Sequence, residues 1–171
     1  MKESLPFQEM YELERPPACS IGRAMEILGE RWTFLILRES FYGVRRFSDI
    51  QRNLGIARNI LSTRLQSLVA AGILERVRYQ VEPDRYEYRL SESGKDLYPA
   101  IVALMRWGDR HLQDEHGPPV VLHHNACGHD ADPLLVCAHC HEELKPREVT
   151  PVLGEDFEGG HPLRPTPSIR P

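Results

Sequence analysis

The feature that most restricts the fold of this 171-residue chain is the segment from residue 46 to residue 90. Its pattern predicts a short helix, a turn, a longer helix and two strands joined by a tip around Pro83. Gly55 is expected to end the first helix and Gly72 the second, since glycine readily adopts the left-handed conformation that follows a helix. A helix-turn-helix followed by a β-hairpin is a winged helix, in which one helix enters the DNA major groove.

The second predicted helix carries an apolar stripe and a polar face. Leu61, Leu65 and Leu68 recur at helical spacing and therefore predict the buried side. Short polar side chains project from the other side, and they supply the donors and acceptors that read base edges. An ordinary solvated helix is the alternative, but the order and spacing of the elements favour DNA binding. The predicted DNA-contacting residues of this helix are Arg58, Asn59, Ser62, Thr63 and Gln66.

Positive charge is concentrated in the same part of the chain. The whole protein has a formal net charge of −4, yet residues 45–89 contain nine arginines, no lysine and five acidic residues. Residues 113–171 contain ten acidic and four basic residues, so the predicted DNA-reading region is the positive one. Arg85 at the hairpin tip is predicted to contact the minor groove or the backbone. Arg45 and Arg46 precede the first helix, where either a phosphate or only solvent would meet them.

The chain from residue 19 to residue 111 resembles the HxlR family of bacterial winged-helix regulators. The resemblance implies a dimer that binds an inverted repeat and represses or activates a nearby operon. One departure is Ala57, because the family commonly has serine at the start of the recognition helix, where its hydroxyl would cap the helix. The segments that carry the resemblance are LGERWTFLILRE (28–39), RRFSDIQ (45–51), LSTRLQSLVAAGILER (61–76) and YEYRLSESG (86–94), with Cys19 before them.

A helix predicted after the hairpin favours self-association. Ser91 is its expected N-cap, and an apolar side extends to His111 or Leu112. A winged-helix domain has already buried one side of each of its helices, so this extra face needs a further surface. We expect a homodimer, with packing on its own domain as the alternative. The apolar side comprises Leu97, Ile101, Leu104 and either Trp107 or Met105.

The sequence pattern predicts the fold class and the domain boundaries, and the absence of targeting and catalytic motifs limits the kind of protein. The pattern predicts an α+β protein, mainly α: a winged helix-turn-helix with flanking dimerisation helices (residues 18–115), followed by a small ribbon-like appendage (116–150). Residues 1–17 are expected to form an arm and residues 151–171, rich in proline, a disordered tail. The sequence has no segment of transmembrane length and no signal peptide, which indicates a cytoplasmic protein. It also lacks H-E-x-x-H, Walker and G-x-S-x-G motifs, so no enzyme activity is expected.

The appendage contains two ligand pairs at metal-binding spacing. The pairs are His124-x2-Cys127 and Cys137-x2-Cys140, with nine residues between them. Such pairs are typical of a structural zinc site, which supplies the stability that a short polar segment cannot obtain by burial. Four ligands would fill the tetrahedron and leave no catalytic position. A metal-free ribbon is the alternative. Four other histidines compete as donors, and the last stands where such knuckles usually have glycine: His123, His129, His139 and His141.

Cys19 is the candidate sensor. It precedes a predicted helix, whose positive N-terminal end favours the reactive thiolate. In the HxlR family, a cysteine at this place serves some members as a sensor of electrophiles or oxidants. Oxidation of Cys19 would then change the dimer geometry, whereas a small buried side chain and a separate small apolar effector are the alternatives.

The winged helix could instead bind a protein partner, or the appendage could act as a metal-responsive switch.

Overall fold

The computed structural model describes residues 20–112, 115–150 and 152. Cys19, the predicted arm and the predicted tail apart from Val152 therefore lie outside the described residues. None of the helices in the described ranges is long and apolar enough to cross a membrane. The helices are α1 (Ser20–Leu28), α2 (Arg31–Phe41), α3 (Phe47–Leu54), α4 (Arg58–Ala70), α5 (Glu92–Lys95) and α6 (Tyr98–His111), and the strands are β1 (Leu74–Gln80), β2 (Arg85–Leu90), β3 (His123–His124) and β4 (His129–Asp130).

Helices α2, α3 and α4 form the helix-turn-helix around one apolar core. Gly55 ends α3 at a φ of 61° and Gly72 follows α4 at 71°, so both predicted helix ends are confirmed. The buried carboxylate of Glu39 on α2 accepts a hydrogen bond from Asn53 Nδ2 at the end of α3, at 2.8 Å, which ties the two helices together. The predicted stripe of α4 is also confirmed, because the fully buried core residues of this unit are Ile36, Leu37, Ile50, Leu61, Leu65 and Leu68.

Strands β1 and β2 form the wing, an antiparallel hairpin that follows α4 directly. Leu74 pairs with Leu90 at its base, and the register is regular as far as Arg78 opposite Tyr86. The register then shifts, which is the mark of a bulge and increases the local twist near the tip. Together with the helices, the hairpin confirms the predicted fold class, a mainly helical α+β protein built on a winged helix-turn-helix.

A third extended segment joins the wing immediately before α3. Arg46 forms a β-bridge with Glu87, and the Tyr88 N–H donates to the Arg45 carbonyl oxygen at 2.8 Å. These backbone contacts hold the start of α3 against β2. The sequence predicts only two strands, because a bridge of one residue pair has no hydrophobic alternation of its own.

The helix predicted after the wing is divided into α5 and α6. Ser91 is an N-cap as expected and accepts a hydrogen bond from the Gly94 N–H at 3.1 Å, but the helix that it begins ends at Lys95. Pro99 occupies the first turn of α6, where its missing N–H has no intrahelical partner to lose. Within a continuous helix, the proline ring would clash with the carbonyl group of Lys95. The prediction of one continuous helix is therefore wrong, and Pro99 is the physical reason.

A group of close backbone and hydroxyl contacts, the serine junction (Gly72, Ile73, Ser91, Ser93 and Gly94), connects the end of α4 to the start of α5. Ser91 Oγ and Ser93 Oγ both donate to the Gly72 carbonyl oxygen, at 2.6 and 2.9 Å. The Ser91 N–H donates to the Ile73 carbonyl oxygen at 3.1 Å. Gly94 approaches the same carbonyl group so closely that a Cβ atom would overlap it.

Gly94→Ala is expected to destabilise the protein, since the added methyl group has no room beside the Ile73 carbonyl oxygen. Overpacking against rigid backbone costs about 1–3 kcal/mol, so the urea midpoint should fall with little change in slope. Gly108→Ala is the matched control, because nothing lies within 4 Å of its Cβ position on α6. The control should be neutral or stabilising by up to about 1 kcal/mol. An unchanged midpoint for Gly94→Ala would contradict the close approach.

Candidate nucleic-acid interface

Helix α4 presents its polar face to solvent. Arg58, Asn59, Thr63 and Gln66 are exposed, whereas Ser62 is half-buried. The three leucines of the same helix are buried on the opposite side, so core packing fixes the direction in which the polar side chains project. The structure therefore places the predicted residues of α4 on one helix with four of them accessible, while their contact with DNA stays a prediction.

Local hydrogen bonds determine what the polar face of α4 can offer. Thr63 Oγ1 donates to the Asn59 carbonyl oxygen at 3.0 Å. A hydroxyl that donates to the backbone retains its lone pairs, and threonine adds a methyl group. Thr63 is therefore suited to accept a hydrogen bond from a base or to contact a thymine methyl group. Asn59 is a residue type that pairs with adenine through two hydrogen bonds.

Two of the predicted arginines lie over aromatic rings. The Arg58 guanidinium is 5.4 Å from the centre of the Phe47 ring, and the Arg46 guanidinium is 4.9 Å from the centre of the Tyr79 ring. Stacking engages the flat face of a guanidinium and leaves its N–H edge available to a phosphate. Arg76 stacks in the same way on a tyrosine of β2. These pairs order the cations before any ligand is present.

An open cavity of about 370 Å³ lies at the start of α3. Arg45, Arg46 and Arg52 line it, together with the carboxylates of Asp49 and Glu87, which are each paired with an arginine. The positive end of a helix and three neighbouring cations suit this cavity to a phosphate of the DNA backbone. Arg52 is not apparent from the sequence, because on a helix surface it resembles one half of an ordinary i,i+3 ion pair.

The wing tip exposes Arg85 to solvent. Its neighbour Asp84 forms an ion pair with Arg78 of β1. Because Arg78 neutralises Asp84, the carboxylate of Asp84 does not oppose the positive charge of Arg85 at the tip. An exposed arginine in this position suits contact with the minor groove or with phosphates beside it.

The recognition helix α4 begins without a side-chain cap. Ala57 is its N-cap residue, with φ and ψ of −61° and 138°, and makes no capping hydrogen bond. Alanine in place of the serine that is common at this position in the HxlR family therefore leaves the helix without a capping hydrogen bond. The first N–H groups of a helix without such a cap remain available to water or to an anion such as a phosphate.

The two predicted ligand pairs occupy the tips of two small hairpins in the appendage. His124 is the last residue of β3 and Cys127 lies in the turn before β4, while a β-bridge between residues 136 and 143 flanks Cys137 and Cys140. Within the described ranges, no group of three or more His, Cys, Asp or Glu side chains is close enough to hold a metal ion. The structure thus brings the donors together as pairs, and metal binding by all four stays a prediction.

Hydrogen bonds lower the pKa of the Cys137 thiol. The largest cause is the backbone N–H of Cys140, followed by the backbone N–H of His139 and the side chain of Cys140. Donors directed at the sulfur stabilise the thiolate, which is the form that binds metal ions. The three described cysteines are free thiols. Cys19 lies outside the described residues, so its predicted sensor role remains a prediction.

The appendage contacts the helix expected to form the dimer. Arg106 Nε on α6 lies 2.9 Å from the Asp132 carboxylate oxygen of the appendage. A largely apolar cavity of about 200 Å³ lies beside this ion pair, between Val102 and Met105 on α6 and Val120 and the residues that follow it. The appendage is therefore seated against α6.

Comparison with known proteins gives consistent matches over most of the chain. An uncharacterised HTH-type transcriptional regulator of Mycobacterium tuberculosis is 56% identical over 139 residues, which cover 81% of this chain and 88% of the relative. A solved protein described as a candidate transcription factor, PA1607, superposes with a TM-score of 0.73 and 31% identity, covering 82% of this chain and 96% of its own. Only 115 residues precede the appendage, and both matches are longer than that. The likeness therefore extends into the appendage.

A second type of solved structure is similar only over a shorter stretch. The redox regulator HypR, in its oxidised form, has a TM-score of 0.51 and 26% identity and covers 56% of this chain and 99% of its own. Residues 27–116 of the chain match the HxlR-like helix-turn-helix family.

Proposed function

This chain belongs to the HxlR-like helix-turn-helix family, and we propose that it acts as a homodimer that binds an inverted-repeat DNA operator. The family consists of transcriptional regulators with a helix-turn-helix DNA-binding fold, and its members compared above are not enzymes. The proposal adds the dimer, the operator type and a response to thiol-reactive compounds or to a small molecule.

One observation carries the proposal: contacts join three candidate DNA-binding elements into one continuous surface. Arg58 at the start of α4 stacks on Phe47 at the start of α3. The adjacent residue, Arg46, lines the cavity and stacks on Tyr79 of the wing. The recognition helix α4, the cavity at the start of α3 and the wing therefore adjoin one another along one surface, called here the DNA-reading surface. This is the order in which a winged helix meets the major groove, the backbone and the neighbouring groove.

Exposed apolar side chains support a second copy of the chain as the partner of α6. Ile101 and Val102 are buried in their own subunit, whereas Leu104 and Trp107 are 51% and 53% exposed. On α1, Ile21 is 73% exposed. Helices α1 and α6 flank the winged helix in sequence, and covering both would bury apolar surface that a monomer leaves in water. A twofold axis would also set two recognition helices at about one DNA turn, roughly 34 Å, from each other.

DNA binding is tested by titrating the protein against the intergenic DNA upstream of its own gene. Arg85→Ala should weaken binding to every sequence and lower the salt slope by about 0.9 for each phosphate that Arg85 no longer neutralises. Asn59→Ala should instead remove about 1–3 kcal/mol of preference at one base pair of each half-site. Fluorescence anisotropy at several salt concentrations and with single-base variants measures both effects.

Arg147→Ala is the control, because it removes the same charge from the exposed end of the appendage. It should change neither the affinity nor the salt slope by a measurable amount. Equal affinity of the unaltered protein for its upstream DNA and for random DNA of the same length would argue against an operator there. A normal salt slope for Arg85→Ala would remove the wing from the interface.

The dimer is tested by Trp107→Glu, which places an unpaired carboxylate in the proposed interface. Burying such a charge costs more than about 1.4 kcal/mol, so the dimer dissociation constant should rise at least about tenfold. Sedimentation equilibrium should then show a shift toward the monomer mass of 19.7 kDa. Val81→Glu, at an apolar residue of the wing tip that is 67% exposed, is the control and should stay dimeric. A dimer unaffected by Trp107→Glu would place the interface elsewhere.

The response to thiol-reactive compounds rests on Cys19 and on the likeness to HypR. Cys19 precedes the described part of α1, one of the two helices with exposed apolar side chains. Modification of a thiol beside that helix would alter how two copies pack and thus the spacing of their recognition helices. A small apolar effector is the alternative signal for the same movement.

Diamide, which would oxidise the Cys19 thiols of the two subunits to one disulfide and itself be reduced to the hydrazine, is expected to weaken operator binding by the unaltered protein at least about tenfold, which corresponds to a coupling of about 1.4 kcal/mol. Cys19→Ser should keep its affinity in the presence of diamide, and dithiothreitol should reverse the effect in the unaltered protein. Cys19→Ala should resist diamide in the same way, because it also lacks the thiol but carries no hydroxyl in its place. Release of DNA from Cys19→Ser by diamide would contradict the sensor role.

A further inference from the structure

We propose that His124, Cys127, Cys137 and Cys140 together bind one structural Zn²⁺ that joins the two hairpins of the appendage. The proposal concerns a site apart from the DNA-reading surface and does not depend on the proposed function. It takes a thiophilic divalent metal as its ligand, since three thiolates and one imidazole form a donor set typical of zinc.

The first hairpin holds its pair in a tight turn. The Gly128 N–H donates to the His124 carbonyl oxygen at 2.9 Å, and the Cys127 N–H points to the same oxygen at 3.2 Å. Gly128 follows with a φ of 73°. The His124 Nδ1 and Cys127 Sγ atoms are 3.2 Å apart. Zinc bonds of about 2.1 and 2.3 Å at the tetrahedral angle separate such donors by about 3.6 Å, so only a small adjustment is needed.

The second hairpin repeats this turn. The His141 N–H donates to the Cys137 carbonyl oxygen at 2.8 Å, and the Cys137 N–H donates to the Glu142 carbonyl oxygen at 2.9 Å. His141 has a φ of 62°, which makes it the only non-glycine residue with positive φ in the described ranges. A residue other than glycine is strained there. The chain adopts the knuckle turn at His141 even though the sequence lacks the usual glycine.

The other two histidines of the first hairpin are engaged in contacts outside the proposed site. His129 Nδ1 lies 2.8 Å from the Cys127 carbonyl oxygen and therefore donates to it. His123 Nδ1 lies 3.5 Å from the Asp130 carboxylate. His124 is the histidine whose ring nitrogen faces a thiol. These contacts favour His124 among the competing donors of the first hairpin.

Burial alone holds little of the appendage together. Leu135 is 70% exposed between the two hairpins, and neighbouring apolar side chains are exposed as well. Beyond its seat on α6, the described part of the appendage is held by short backbone pairings and a few exposed side-chain contacts. A metal bound by both pairs would close the linker of nine residues between them and add folding free energy that burial does not supply. Since the two pairs do not converge in the structure, the proposal requires the hairpins to approach each other on binding.

The test is a Co²⁺ titration of full-length Cys19→Ser, which leaves only the three thiols of the proposed site. One equivalent per chain should produce the visible bands of tetrahedral Co²⁺ and a near-ultraviolet thiolate charge-transfer band, and Zn²⁺ should displace them. Cys137→Ser or Cys140→Ser should lose most of the charge-transfer band. His124→Ala should weaken Co²⁺ binding at least about tenfold.

His129→Ala and His141→Gly are the matched controls and should keep both the spectrum and the affinity. His141→Gly also removes the strain at a positive φ, so it should not reduce folding. The absence of a thiolate band at one equivalent would overturn the proposal. A normal affinity for His124→Ala, a loss of binding in either control, or one metal ion per two chains would overturn it equally.

Discussion

The serine junction is the contact on which the rest of the architecture depends. Its hydroxyl and backbone hydrogen bonds connect the carbonyl groups just after α4 to the turn that begins α5. Because α6 follows within a few residues, the helix expected to face DNA and the helix expected to face a second copy share one tightly held connection. A rotation of one subunit against the other would therefore carry the recognition helices with it, as control through dimer geometry requires.

Grouping of charge explains how a chain with a net charge of −4 can suit a polyanion. Ten of the 25 acidic residues follow α6, whereas nine of the 18 arginines lie between residues 45 and 89. Inside that region several acids are neutralised at short range, so they limit the positive potential less than their number suggests. The ion pairs that do this are Asp49 with Arg52, Asp84 with Arg78 and Glu87 with Arg89.

Elements with local signals could be predicted from the sequence, and contacts between distant segments could not. The leucine period of α4, its terminal glycine and the hairpin each depend on neighbouring residues. The bridge between Arg46 and Glu87 and the cavity that includes Arg52 depend on how separate elements meet. Pro99 is a local signal for the break between α5 and α6, but the apolar periodicity on both sides of it predicts one continuous helix. For the sites, spacing identifies candidate residues, while their roles depend on DNA or metal contacts that spacing does not specify.

The stacked arginines of the DNA-reading surface have one more consequence. All nine cations between residues 45 and 89 are arginines, and three of them lie over aromatic rings. Acetylation neutralises lysine but has no target here, and arginine stays charged at every physiological pH. Neither lysine acetylation nor a physiological change of pH therefore removes the positive charges of this surface. The proposed control of DNA binding would then act by moving this surface and not by removing its cationic charge.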